Sequence, residues 1–177
     1  YRGAQATLSA TANAGYHFVS WNDGNTVNPR TVTLTADVTM TASFALNNYT
    51  LNATALPANG GTILGTGVYA YGSTASLTAT PAQGYHFTQW SDGSTDNPRQ
   101  VTITGDATVS ALFALNSYSI TTNSAPANGG TVSGAGAYDY GTSATLTATA
   151  ATGYHFTSWH DGSTSNPRNV TVTGDAS

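Results

Sequence analysis

The sequence predicts an all-β chain of small antiparallel modules in tandem, with a 69-residue repeat. Three observations predict it. Gly-Tyr-His-Phe occurs at 15–18, 84–87 and 153–156, each time followed by Trp-x-Asp-Gly (Trp21, Trp90, Trp159) and then by Asn-Pro-Arg (28–30, 97–99, 166–168), in one uninterrupted register. Between these motifs, apolar and polar residues alternate over short runs bounded by Gly, Pro, Asn and Asp-Gly. No stretch shows a helical apolar period, and the chain has neither Lys nor Glu, two of the better helix formers.

The one uninterrupted copy, about Tyr49 to Ser117, shows each element in order. Tyr49, Leu51 and Ala53 alternate with Thr50, Asn52 and Thr54, which reads as a half-buried strand. Pro57 to Gly61 turns the chain. Residues 62–71 read as one Gly-interrupted strand, with Gly65 and Gly67 marking a bulge or bend. Residues 75–80 place Ala75, Leu77 and Ala79 inward. Residues 85–90 form an aromatic strand, whose strict alternation puts Tyr85 and Phe87 on one face and His86 and Trp90 on the other. Asp92-Gly93 opens a polar loop that closes at Pro98. Val101 and Ile103 share a face of the next strand, and Val109, Ala111 and Phe113 share a face of the last. That is six strands, with a core of Phe87, Leu77, Val101, Ile103 and Phe113.

The register divides the chain into 1–47 (a copy lacking its first third), 48–116 (complete) and 117–177 (lacking the segment matching Val109 to Leu115). The chain is therefore expected to be a piece of a longer array. Only Ala114 to Asn116 separate the last strand of the complete copy from the next copy. A linker that short allows little independent rotation and predicts a stiff row of modules.

Composition narrows the partners. All four basic residues are Arg and all eight acidic ones Asp, for a net charge of −4. Nucleic acids and anionic membranes both call for basic patches, so neither is an expected partner. No apolar run is long enough to span a bilayer as a helix. Cysteine is absent, so no disulfide staples a module this small, and packing between neighbouring copies is expected to help.

Four constellations carry chemistry worth weighing. Tyr, His, Phe and Trp of the aromatic strand offer faces for sugar stacking, which makes Trp21, Trp90, Trp159, His86 and His155 the candidate ligand contacts. A core role for the rings, and hydrogen-bonded strand positions for His17, His86 and His155, are the plainer reading. Asp23, Asp92 and Asp161 each precede an arginine (Arg30, Arg99, Arg168) by seven residues. These pairs read as loop closures by charge-assisted hydrogen bonds rather than as a ligand clamp. Asp92, Ser94 and Asp96 alternate oxygens as calcium loops do, but Val27 and Ser165 replace Asp96 elsewhere and no bidentate Glu exists. His155, His160 and Asp161 suggest zinc, yet His160 is missing from the other copies. No metal, cofactor, nucleophile–base pair or phosphate loop is expected.

The order Tyr49-Thr-Leu, Pro-Ala-Asn-Gly-Gly-Thr, Leu77-Thr-Ala-Thr-Pro, Gly-Tyr-His-Phe-Thr-Gln-Trp-Ser-Asp-Gly, Asn-Pro-Arg and Val-Thr-Ile-Thr-Gly-Asp resembles the divergent internalin-B-type B-repeat. That repeat is related to the Listeria–Bacteroides repeat of bacterial surface proteins. The resemblance spans the whole chain and implies small β-rich modules of a β-grasp-like kind; the all-β reading of the residues leaves a sandwich-like module as the other form expected. The resemblance also implies use in tandem in long cell-surface or secreted proteins as stalks, spacers and adhesin parts, with no shared catalytic residues to transfer. The expectation is a non-enzymatic extracellular segment whose partners are neighbouring repeats of the same chain. Host or environmental glycans or proteins are further partners, and a carbohydrate-binding module is the alternative function.

Overall fold

The structure, a computed structural model, describes residues 3–177, which form sixteen strands and no helix. The first copy contributes β1 (Ala4–Leu8), β2 (Tyr16–Trp21), β3 (Arg30–Leu34) and β4 (Ala42–Leu46). The complete copy holds β5 (Asn48–Leu56), β6 (Gly61–Leu64), β7 (Gly67–Ala70), β8 (Thr74–Pro81), β9 (Tyr85–Trp90), β10 (Arg99–Thr102) and β11 (Ala107–Leu115). The third adds β12 (Ser117–Ile120), β13 (Gly130–Ser133), β14 (Gly136–Asp139), β15 (Ser143–Ala150) and β16 (Arg168–Thr171).

In the complete copy the sheet orders are β7-β5-β11-β9 and β10-β8-β6. The same pairings recur 69 residues away: β1 with β3 and β2 with β4 before, β12 with β14 and β13-β15-β16 after. The registered ladders are antiparallel, while Ile120 forms a single parallel bridge to Ala176. In the third copy the two sheets share one core. Ile120 of β12 packs with Ala144 and Leu146 of β15 and with Val172, and Tyr118, Tyr138, Trp159 and Val170 lie against them. This is the sandwich-like arrangement of the two expected.

Alternation explains most of the burial. Ala75, Leu77 and Ala79 of β8 are buried and Ser76 is exposed; Leu51 of β5 and Ile103 are buried as well. Three sequence expectations need correction. The complete copy has seven strands rather than six. Residues 62–71 are two strands, because the chain leaves one sheet at Gly65 and joins the other at Gly67: β6 pairs with β8, while β7 pairs with β5. The Tyr69 hydroxyl fixes this crossover by donating to the Gly65 carbonyl at 2.8 Å.

The second correction concerns the aromatic strand. β9 carries a bulge, since Leu112 lies opposite Gln89 but Phe113 lies opposite Phe87, so Thr88 has no partner across the ladder. One extra residue reverses the alternation beyond it. Trp90 therefore joins the Phe87 face, with ring centroids 5.4 Å apart, and is fully buried, while Phe87 itself is only half-buried. Val101 is likewise half-buried, whereas Leu77, Ile103 and Phe113 are core as expected. Val19 makes the same bulge in β2, and Trp21 is buried there too.

Third, residues 154–159 are not a strand, although their counterparts in β2 and β9 are. Those strands pair with β4 and β11, and the described residues stop at Ser177, before the positions that match 109–115. Without a neighbour the backbone has no ladder to join.

The chain forms two compact units. One comprises residues up to Thr54 with Ile63–Thr78 and Asp96–Val109; the other comprises Ala55–Thr62, Ala79–Thr95 and Ser110–Ser177. Each unit thus combines one incomplete copy with part of the complete one.

Candidate functional site

Two features that carry polar side-chain contacts recur at the 69-residue period. The first is the loop after each Trp. The Gly24 amide donates to the Trp21 carbonyl at 2.9 Å and the Trp21 amide donates to the Asn25 carbonyl at 2.8 Å, so Asp23 sits at the tip of a tight turn. Asp23 Oδ1 accepts from the Asn25 amide at 3.1 Å, and Arg30 Nη1 donates to both Asp23 oxygens at 2.7 Å. The Arg30 hydrogen bond, with the Asn25 amide, holds the Asp23 carboxyl below its ordinary value. In the third copy Arg168 Nη1 lies 2.9 Å from both Asp161 oxygens, and there the Ser163 amide is the larger cause of the lowered carboxyl. The Arg168 guanidinium also lies over the Trp159 ring, 5.7 Å from its centroid. Asp92 accepts from the Ser94 amide at 3.2 Å.

The indole and the asparagine complete the loop. Trp21 Nε1 donates to the Val27 carbonyl at 2.9 Å, and Trp159 Nε1 donates to Ser165 at 2.7 Å. The Asn28 side chain accepts from the Ala10 amide at 2.9 Å and donates to the Ala10 carbonyl at 2.6 Å. Asn166 does the same with Ala148, at 2.9 and 2.7 Å. One side-chain amide thus replaces a missing ladder rung, a role that the Asn-Pro-Arg spacing alone did not disclose.

The second feature is the passage between copies. β4 ends at Leu46 and β5 begins at Asn48, so the connection is the single residue Asn47; Asn116 is its counterpart between β11 and β12. The Asn47 amide donates to the Gly15 carbonyl at 2.7 Å, and its carbonyl accepts from the Tyr71 amide at 2.9 Å. Its side-chain oxygen lies 2.8 Å from His17 Nδ1. Asn116 repeats each contact with Gly84, Tyr140 and His86, all at 2.8 Å. Gly15 and Gly84 both take φ near +80°, and a Cβ built on either would collide with the ring of Tyr71 or Tyr140. Each glycine therefore seats a tyrosine of the following copy, at a backbone angle that favours glycine anyway.

A family model for the divergent InlB B-repeat domain matches residues 1–48, 49–117 and 120–177, leaving only 118 and 119 unmatched. The chain belongs to that family. The InlB B-repeat is a non-catalytic type of repeat domain associated with bacterial surface proteins. No curated protein and no solved structure matches the chain.

Within these InlB B-repeats the candidate residues fall into different places. Trp21 and Trp90 are 5% and 0% exposed, because the bulge turns them inward; their ring faces are closed to a sugar. Trp159 is half-buried. His86 is held at the junction by Asn116, whereas His155 is exposed in the segment that lacks a ladder. Asp23 with Arg30 and Asp161 with Arg168 meet as ion pairs at the loop mouths. The joint that Asn47, Asn116, Gly15, Gly84, Tyr71 and Tyr140 form escaped the sequence reading, which placed the glycines in the recurring motif, Tyr71 in a strand and Asn116 in a linker. Its signal was available, because these residues recur at a 69-residue interval.

Proposed function

We propose that this chain is a non-enzymatic spacer segment of a bacterial cell-surface or secreted protein, working outside the cell. Its task is to hold flanking parts at a set distance. The junction carries the reading. A one-residue connection, tied by two backbone hydrogen bonds and one side-chain bond and filled by a tyrosine, recurs unchanged at both passages between copies. Such a joint resists bending and twisting at each step, as a spacer requires. Neighbouring repeats of the same chain are then each other's principal partners. Adhesion by weak repeated contacts is compatible with the same construction, since fixed spacing is what avidity needs.

The experiment compares solution scattering of the chain with that of a variant carrying three extra residues, Gly-Ser-Gly, after Asn116. The insertion is expected to broaden the distribution of interatomic distances while leaving the circular dichroism spectrum intact. If the unaltered chain is already as broadly distributed as the variant, the spacer reading fails. Glycan binding remains the alternative, and it would have to use rings other than Trp21 and Trp90.

A further inference from the structure

Tension along a row of repeats enters the complete copy at Asn47 and leaves it at Asn116, the single residues that join β4 to β5 and β11 to β12. We infer that the pair β5–β11 is a shear clamp that makes the repeat a load-bearing link, with Asp106 as the latch at its loaded end. The joints govern bending, whereas this clamp governs stretching. Its setting rests on the spacer reading, because only a segment held at both sides is pulled.

Direction decides how a pair of strands answers a pull. β5 and β11 are neighbours in the four-stranded sheet. The Thr50 amide, near the start of β5, donates at 2.7 Å to Oδ1 of Asp106, the residue just before β11. At the other end, a Cβ built on Gly60, past the end of β5, would lie 2.7 Å from the Phe113 Cβ, near the end of β11. Start lies by start and end by end, so the two strands run parallel. Leu51 and Ala107 are the counterparts of Ile120 and Ala176, which form the parallel bridge in the third copy. The start of β5 and the end of β11 are therefore at opposite ends of the pair. Opposed pulls at those points run along the strands and load the slanted, evenly spaced rungs together. In an antiparallel pair the same two points would be neighbours, and the rungs would open one at a time.

Three further features suit the pair to that load. At nine residues each, β5 and β11 are the longest strands among the described residues, so they offer the most rungs to share it. They are also the inner strands of their sheet, between β7 and β9, and Leu51 and Ala111 are fully buried on one face. Water is thereby kept from competing for the rungs on that face. Last, the Asp106 carboxylate adds a charge-assisted bond to the β5 backbone close to where tension enters. The Ser119 amide donates to Asp175 Oδ1, also at 2.7 Å, so the latch recurs in the third copy.

The test is single-molecule force spectroscopy on the full chain, which has no cysteine of its own. Handles attached at Asn48→Cys and Leu115→Cys load the pair in shear. Handles at Leu56→Cys and Leu115→Cys draw apart two strand ends that lie together, and so unzip it. All three positions are exposed. At one loading rate the shear direction is expected to rupture at a several-fold higher force, since forced unfolding reads the barrier along the direction of pull. Asp106→Ala should lower the rupture force in shear and leave the unzipping force unchanged, because unzipping reaches the latch last. A merely stabilising contact would lower both alike. The comparison of directions needs no change at Asp106 and stands whether or not that variant folds. Equal rupture forces in the two directions overturn the clamp. An Asp106→Ala chain that loses nothing in shear, or as much in both directions, overturns the latch. Either result would leave the spacer reading standing, while a freely bending chain in solution scattering would sink the spacer and not the clamp.

Discussion

At the scale of single residues, Trp21 and Trp90 fill the core and the charged pairs close loops at the surface. Strict alternation put Trp90 on the face of His86, opposite Phe87; it lies instead on the Phe87 face and is the largest fully buried side chain among the described residues. Trp90→Ala is therefore expected to lower stability by about 3–5 kcal/mol in chemical denaturation. Phe87→Ala should cost clearly less, because Phe87 keeps part of its surface in water. The Asp–Arg spacing was legible because charge is so scarce that a recurring pair draws notice. The pairs lie at the surface, however, with Asp23 45% exposed, so their coupling should be small and should vanish in about 1 M salt. A double-mutant cycle on Asp23 and Arg30 measures it, and Asp92 with Arg99 is expected to couple in the same way. The pH sign follows from the lowered Asp23 carboxyl. Its contribution is present in full above the unfolded value of about 3.9 and is lost as pH falls through the lower folded value. Arg30→Gln should leave less acid dependence in that window.

At the scale of elements, alternation located the strands but could not locate their interruptions. Leu51, Ala75, Leu77 and Ala79 obey period two and are buried as that period requires. The bulge at Thr88 is invisible to the same logic, because it arises from what β11 offers across the ladder and not from any residue in β9. Deleting Thr88 should restore strict alternation, turn Trp90 outward and abolish cooperative unfolding. Thr88→Ala keeps the extra residue and should be tolerated, apart from losing the hydroxyl's 3.0 Å bond to the Leu112 carbonyl. The Gly65 crossover escaped for a related reason: two glycines announce a change of path but not which sheet receives the chain. Asn28 and Asn166 show a side chain acting as a strand neighbour. Asn166→Ala should cost about 1–3 kcal/mol, for two backbone bonds left unmade at Ala148.

For the whole molecule, the period was fully legible and its meaning only partly so. Fixed spacing revealed tandem modules, but Asn116 passed for a linker residue and Asn47 for a boundary, although each is the hub of a joint. The compact units cut through the complete copy and keep both joints intact, so neighbouring repeats should not unfold independently. Gly84→Val combines a strained backbone angle with a collision against Tyr140. It is expected to split a single thermal transition into two and to lower the midpoint of the first, as calorimetry would record. A single transition at an unchanged midpoint would show that the joint is mechanically idle.

The loop closures bear on how long such a molecule survives among digestive enzymes. Lysine is absent, and Arg30, Arg99 and Arg168 each open a strand directly after a proline. Arg30 and Arg168 are turned toward an aspartate and are only 14% and 21% exposed. The bonds after them lead into Thr31 and Asn169, whose backbones are paired with Thr7 and Thr145. A trypsin-like protease must draw an arginine and its neighbours out as an extended strand, so at these two sites it must first break both the ion pair and the ladder. The features that shape the loop also deny such an enzyme its foothold.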